Sequence, residues 1–263
     1  MEPHVLCDDE CFILVKALPH RSSKYFETVC CAGIGRDGRW RRQYPVPFRI
    51  LNDSQKFQRW SWIKYNFVAS KIDARVESQK VLSESLIVSG KLKPNERARF
   101  LNPLVRYSFA EADRRNESLT MLRPQSLEIL AFEKTEREIA SERVKHAALV
   151  QQLSFLSEPA TPLEPCPVRF VARWRDNEGS IRRHACDDWE TSAAFSRFER
   201  HYGRNGAIEV LRRKYEEEYF QAGLVLVFST HSRRNVTKGM KNQWLLVGMV
   251  RLDHDSQRDL FSQ

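Results

Sequence analysis

A chain of 263 residues and 30.9 kDa, 41% hydrophobic and 29% charged, is long enough to bury a core without disulfide staples and suits one large domain or two small ones. No apolar run reaches the ~18 residues of a membrane span, and MEPHVLCDDECFILVK has acids where a signal peptide has bases, so a soluble cytoplasmic protein is expected. A formal charge of +9 and a pI near 9.4, with Arg outnumbering Lys 30 to 13, predict an anionic partner, because the planar guanidinium matches phosphate.

In chain order, Cys11 to Ala17 (CFILVKA) reads as a strand, Glu27 to Ile34 as a second, and Trp40 to Tyr44 as a third that Pro45 and Pro47 stop. Phe57 to Val68 alternates like a half-buried strand. Residues 95 to 115 read as a helix interrupted near Pro103, and Leu127 to Phe132 as a strand. Glu136 to Leu153 reads as a helix with Ile139, Val144, Ala147 and Val150 on its apolar side. Four prolines in LSEPATPLEPCPV then mark a break. The expected organisation is a basic α+β domain over 1–155, mostly antiparallel β, then a linker over 156–167.

Beyond it, Val168 to Arg175 alternates, with Phe170, Ala172 and Trp174 inward and Arg169, Arg173 and Arg175 outward. The turn 176–179 leads to a return strand, Ser180 to Ala185, carrying Arg182 and Arg183. Asp188 caps a helix that Gly203 ends, and Asn205 caps the next. Gly223 to Ser229 and Gln243 to Arg251 are strongly β. The order ββααββ over 168–252 predicts an antiparallel sheet with two helices on one face. Residues 253–263 read as a flexible tail.

Between Gly33 and Arg75 ten bases face three acids, and Trp40, Tyr44, Phe48, Phe57, Trp60, Trp62 and Tyr65 interleave with them. Cations suit phosphates and flat rings suit unstacked bases. The alternation of 57–67 equally suits a sheet whose aromatics are all core. Arg36, Arg39, Arg41, Arg42 and Arg49 are the candidate phosphate contacts. The acid-free loop Thr230 to Asn242 adds Arg233, Arg234, Lys238 and Lys241.

The sequence carries no Walker A, GxGxxG or HExxH pattern, and a non-catalytic role is expected. Asp73 and Glu77 of DARVE are candidate carboxylates for a metal-dependent nuclease, the alternative reading, which alone would call for Mg2+. The six cysteines, at 7, 11, 30, 31, 166 and 186, lack zinc-site spacing, so reduced thiols and no metal are expected.

The segments ILVKALPHRSSKYFETVCCAGI (13–34), WRRQYPVPFRIL (40–51), DARVES (73–78), DWE (188–190) and FSTHSRRNVTKGMKNQWLLVGMV (228–250) resemble an uncharacterised family of bacterial proteins. That resemblance implies no catalytic residue. It implies a cysteine-rich strand pair before DWE, of which this chain keeps only His184 and Cys186. The WxRxYPVPF arrangement is similar to a PUA or ASCH barrel, which implies a small nucleic-acid-binding fold. The tail segment QRDLF resembles the bacterial sliding-clamp-binding pentapeptide, with Gln257, Asp259, Leu260 and Phe261 in its recognition positions and Arg258 departing from it. Together these imply a DNA-binding protein of repair or anti-phage defence, recruited to the clamp. The third reading is an adaptor whose basic face meets an acidic protein.

Overall fold

The computed structural model describes residues 5–22, 26–70, 73–153, 163–230 and 244–253. The chain forms two compact units, Met1–Lys91 with Phe132–Arg169, and Leu92–Ala131 with Phe170–Gln263. The expected linker 156–167 lies outside the described residues as far as 162, and 163–167 belong to the first unit.

The first unit is built on β1 (Cys7–Lys16), β2 (His20–Ser22), β3 (Phe26–Gly35), β4 (Trp40–Val46), β5 (Ser61–Ala69) and β6 (Ser78–Lys91). Five of them close into a ring, β1-β5-β6-β4-β3 and back to β1, while β2 pairs with β3 at the edge. Every ring pairing is antiparallel except β4 with β6, which is parallel through Arg42, Gln43 and Tyr44. The expected N-terminal barrel is therefore present. Strands β1, β3 and β4 follow one another, and β5 returns beside β1, the spatial order of a Greek key.

Three differences from the sequence reading have local causes. β5 starts at Ser61 rather than Phe57, because Trp60 takes a left-handed backbone (φ 73°) and turns the chain. β4 runs through Pro45 to Val46: its pairing with β3 is irregular between Val29 and Cys31, where a missing N–H costs little. β6 has no counterpart in the reading, since SQKVLSESLIVSGK is largely polar and irregular in its alternation.

Phe57, Trp60, Trp62 and Tyr65 are buried. The ring core, not a ligand, uses these aromatics. Gly33 permits the ring to close: a Cβ there would stand 2.2 Å from the Phe12 carbonyl oxygen of the neighbouring β1.

After β6 come α1 (Arg97–Leu101), α2 (Phe109–Arg114), β7 (Val105–Arg106, between them), β8 (Leu119–Leu122), β9 (Ser126–Glu133) and α3 (Glu136–Leu153). A 3-10 turn at Asn102–Leu104 contains Pro103 and interrupts the helical stretch where the sequence reading of 95–115 placed the break, with the short strand β7 following it. α3 has the predicted bounds and packs on β3 and β2. Its predicted apolar side is only partly used. Ile139 is buried, whereas Val144 is 70% exposed and Ala147 is exposed.

The chain continues as β10 (Val168–Arg175), β11 (Ile181–Ala185), α4 (Trp189–Arg212), a π-helical stretch (Arg213–Tyr219), α5 (Phe220–Gly223), β12 (Leu224–Thr230) and β13 (Trp244–Arg251). The ββααββ order is as expected, but its strands do not share one sheet. β10 and β11 join β9, whereas β12 and β13 join β8 and β7. Each hairpin finds its third strand in the segment before residue 134, which the sequence reading assigned to another domain. One bridge, Cys186 to Leu246, links the two sheets. Gly203 (φ 68°, ψ 176°) breaks α4 where the sequence predicts a helix end. Asp188 caps α4 through Glu190 N (3.1 Å) and also accepts from Met249 N of β13 (3.3 Å), so this buried carboxylate ties helix to sheet. Among the described residues no helix is long and apolar enough to cross a membrane.

Candidate nucleic-acid interface

The basic stretch lies on the second and third ring strands and the turn between them. Arg36 follows β3, is 63% exposed, lies 3.8 Å above the Trp62 ring and reaches Glu10 (3.0 Å). Arg39 is exposed in the same turn. Tyr44 on β4 is 41% exposed, unlike the aromatics of 57–65. Arg49 is half-buried on the 3-10 turn Phe48–Ile50.

Besides Arg36, two of the expected phosphate contacts are in ion pairs, and these two are far less exposed. Arg41 donates through Nε to Asp9 (2.6 Å) and through Nη2 to Asp37 (3.0 Å). Arg42 is 3% exposed and holds Glu77 (2.9 Å), while its backbone N donates to the Glu77 carbonyl (2.8 Å). A buried guanidinium already satisfied by a carboxylate has no edge left for a phosphate, so Arg42 belongs to the β4–β6 seam. The local excess of charge is correspondingly smaller than the sequence suggests. Asp9, Glu10 and Glu77 arrive from outside the 33–75 segment to meet Arg41, Arg36 and Arg42.

Inside the ring a directed chain of hydrogen bonds fixes these strands. Gln43 Nε2 donates to Cys11 Sγ and to Tyr65 Oη (both 3.0 Å). Tyr65 Oη donates to Gln79 Oε1 (2.6 Å), and Gln79 Nε2 donates to Asp9 Oδ2 (2.6 Å), which also accepts from Arg41. The chain crosses β4, β1, β5 and β6. Because side chains alternate along β4, seating Gln43 inside turns Arg42 and Tyr44 to the opposite face. Burial pushes the Cys11 thiol up to about 12 and the Tyr65 phenol well above its usual value, so both stay neutral.

The candidate nuclease carboxylates are each held by an arginine. Arg75 grips Asp73 through Nε (2.8 Å to Oδ1) and Nη2 (2.5 Å to Oδ2), and Ser78 Oγ donates to the same group (2.8 Å). Burial alone would raise the Asp73 carboxyl, but these donors outweigh it and hold it below the usual range. Glu77 is bound to Arg42. A metal would have to displace both arginines. Among the described residues no group of three or more His, Cys, Asp or Glu side chains is placed to hold a metal ion.

In the second unit His184 is half-buried, and its Nδ1 accepts from Trp174 Nε1 (3.0 Å). Burial, and then the charge of Arg182, lower its imidazole to about 4. Together with Phe109, Phe228 and Trp174 it forms an aromatic cluster. Arg173, Arg175 and Arg183 face outward from β10 and β11 as expected. Arg182 turns to the other face, where it pairs with Asp176 (2.5 Å). Arg233, Arg234, Lys238 and Lys241, and the tail positions Gln257, Asp259, Leu260 and Phe261, lie outside the described residues.

Sequence reasoning missed Asp9 and Glu10 as counter-charges. The acidic run DDE before the first apolar strand was their only trace, and a partner some 30 residues away leaves no spacing to read. Compared with protein families, residues 8–107 match the model described as Domain of unknown function (DUF8758), and residues 107–263 match that described as Domain of unknown function (DUF8757). No curated protein matches the chain.

Proposed function

The chain belongs to the family described as Domain of unknown function (DUF8757), and we propose that this member binds nucleic acid through the barrel that precedes the matched region. The observation that carries the reading is the exposure of Arg36, Arg39 and Tyr44 on the second and third strands, and their turn, of a closed five-stranded Greek-key ring. Oligonucleotide-binding barrels of this architecture use the face of strands two and three, with the loops between strands one and two and strands four and five. In this ring those are β3 and β4 and, among the described residues, the connecting segments 17–22 and 73–77. Exposed cations supply phosphate contacts and an exposed tyrosine supplies a stacking face. This support is by architecture and surface chemistry.

DNA is the favoured nucleic acid, because QRDLF resembles a sliding-clamp-binding peptide. That resemblance also favours a place in bacterial DNA repair or defence against foreign DNA. Leu260→Ala with Phe261→Ala is expected to abolish capture on an immobilised bacterial sliding clamp, and retained capture would remove the clamp from the account.

The test is binding of labelled single- and double-stranded DNA and RNA at two salt concentrations, with and without magnesium, on a gel that also shows cleavage. Salt-sensitive binding is expected. Arg36→Glu with Arg39→Glu should weaken it and lower the salt slope by about one for each phosphate that is no longer neutralised. Absence of binding at low salt, or binding indifferent to both substitutions, overturns the reading. Magnesium-dependent cleavage lost in Asp73→Asn would replace it with the nuclease alternative.

A further inference from the structure

We propose that the open edge of β11 docks an extended acidic segment of a partner protein by strand addition. β11 is the terminal strand of its sheet. Cys186 N donates to Phe170 O (2.9 Å) and Asp176 N to Ser180 O (3.0 Å). In this antiparallel register the residues bonded to β10 are therefore 180, 182, 184 and 186. The N–H and C=O groups of Ile181 and Arg183 and the N–H of Ala185 point the other way, three donors and two acceptors, while the Ala185 carbonyl is taken up by Leu246 N in the parallel bridge of Cys186 to Leu246. All three residues are exposed, Ile181 by 52%. Among the described residues the edge is covered at its end, where Cys186 bridges Leu246 and Asp187 N donates to Leu246 O (2.8 Å).

Charge selects the occupant. Arg183 lies directly opposite Arg173, in the kind of antiparallel pair whose Cα atoms approach to about 4.5 Å. Like charges so placed repel. Glu128 pairs with Arg173 (2.8 Å), while Arg183 makes no ion pair among the described residues, and Arg175 is exposed beside them. An incoming strand with carboxylates on this face relieves the repulsion as it satisfies the backbone groups. A second copy does the opposite, since antiparallel self-pairing about Arg183 sets Arg183 directly against its counterpart. Edge arginines also discourage indiscriminate pairing, and an acidic strand is the one they admit. The proposal is independent of the barrel's role.

The probe is a fluorescent ten-residue peptide of alternating Glu and Val, titrated into the full chain, with a Lys–Val peptide as control. Saturable binding of the acidic peptide alone is expected. Ala185→Pro removes one outward N–H, keeps every arginine and leaves the β10 ladder intact. It should weaken binding at least tenfold, and Arg183→Glu should do the same. An acidic probe N-methylated at alternate residues tests the same hydrogen bonds without altering the protein, and it should not bind. Equal binding of the methylated probe reduces the effect to charge attraction and overturns the proposal. So does no binding at millimolar peptide, a dimer in sedimentation that Ala185→Pro dissolves, or displacement of the peptide by a DNA oligonucleotide whose own binding needs Arg183 but tolerates Ala185→Pro.

Discussion

Arg42→Ala separates a structural arginine from a ligand contact. Arg42 and Glu77 are 3% and 12% exposed, and the guanidinium approaches one carboxylate oxygen through both Nη2 (2.9 Å) and Nε (3.3 Å). Truncating Arg42 leaves Glu77 ionised in a nearly dry place, and breaking a buried pair from one side costs about 3–5 kcal/mol. The β4–β6 seam has only three paired positions, so little else at that joint compensates. For a unit of this size the loss lowers the thermal midpoint by roughly 10–20 °C. Urea unfolding followed by tryptophan fluorescence measures it. Arg42→Met combined with Glu77→Leu should recover most of the loss, because neither charge then remains buried alone. A loss below about 1 kcal/mol, accompanied by weaker nucleic-acid binding, would refute the assignment and return Arg42 to the phosphate-binding set.

Gly33→Ala should prevent the close approach of β1 to β3, lowering the folded yield and the urea midpoint; an unchanged midpoint would show that the 2.2 Å clash is absorbed by the backbone. For His184, held at about 4 when folded against an ordinary 6.5, the unfolded chain binds the extra proton between these values. Unfolding free energy should therefore fall by about 3 kcal/mol as the pH drops from 7 to 4, then level off in this contribution; His184→Gln should flatten that part of the profile. Glu10, lowered chiefly by the hydrogen bond from Arg36, contributes with the same sign at more acid pH: its stabilisation is complete above about 4.5 and is lost as pH falls through its lower folded value, a loss that Arg36→Ala should abolish. Brief iodoacetamide treatment of the native protein followed by peptide mass mapping should label exposed Cys7 and spare buried Cys11 and Cys31, whose thiols burial pushes up; early labelling of Cys11 would mean that the ring opens.

Local patterns in the sequence determined a good deal of this protein. Val168–Arg175 alternates apart from Val171, and its buried and more exposed faces follow that alternation. Asp188 and Gly203 bound a helix through a side-chain cap and a left-handed backbone, both properties of single residues. The bounds of α3 were likewise legible, because Ile139, Val144, Ala147 and Val150 recur at helical spacing among charged residues. Which strands become neighbours was not legible, since pairing is set by contacts between distant segments. Only the tertiary structure closed β1, β3, β4, β6 and β5 into a ring, and it parted two hairpins that sequence order had placed in one sheet. The candidate site divided in the same way. The sequence showed that cations cluster between 33 and 75, but an ion pair depends on distance in space. Arg41 and Arg42 proved committed to Asp9 and Glu77, while Arg36, Arg39 and Tyr44 kept exposed surface. A run of bases reports composition, whereas a binding surface depends on which charges the fold leaves exposed.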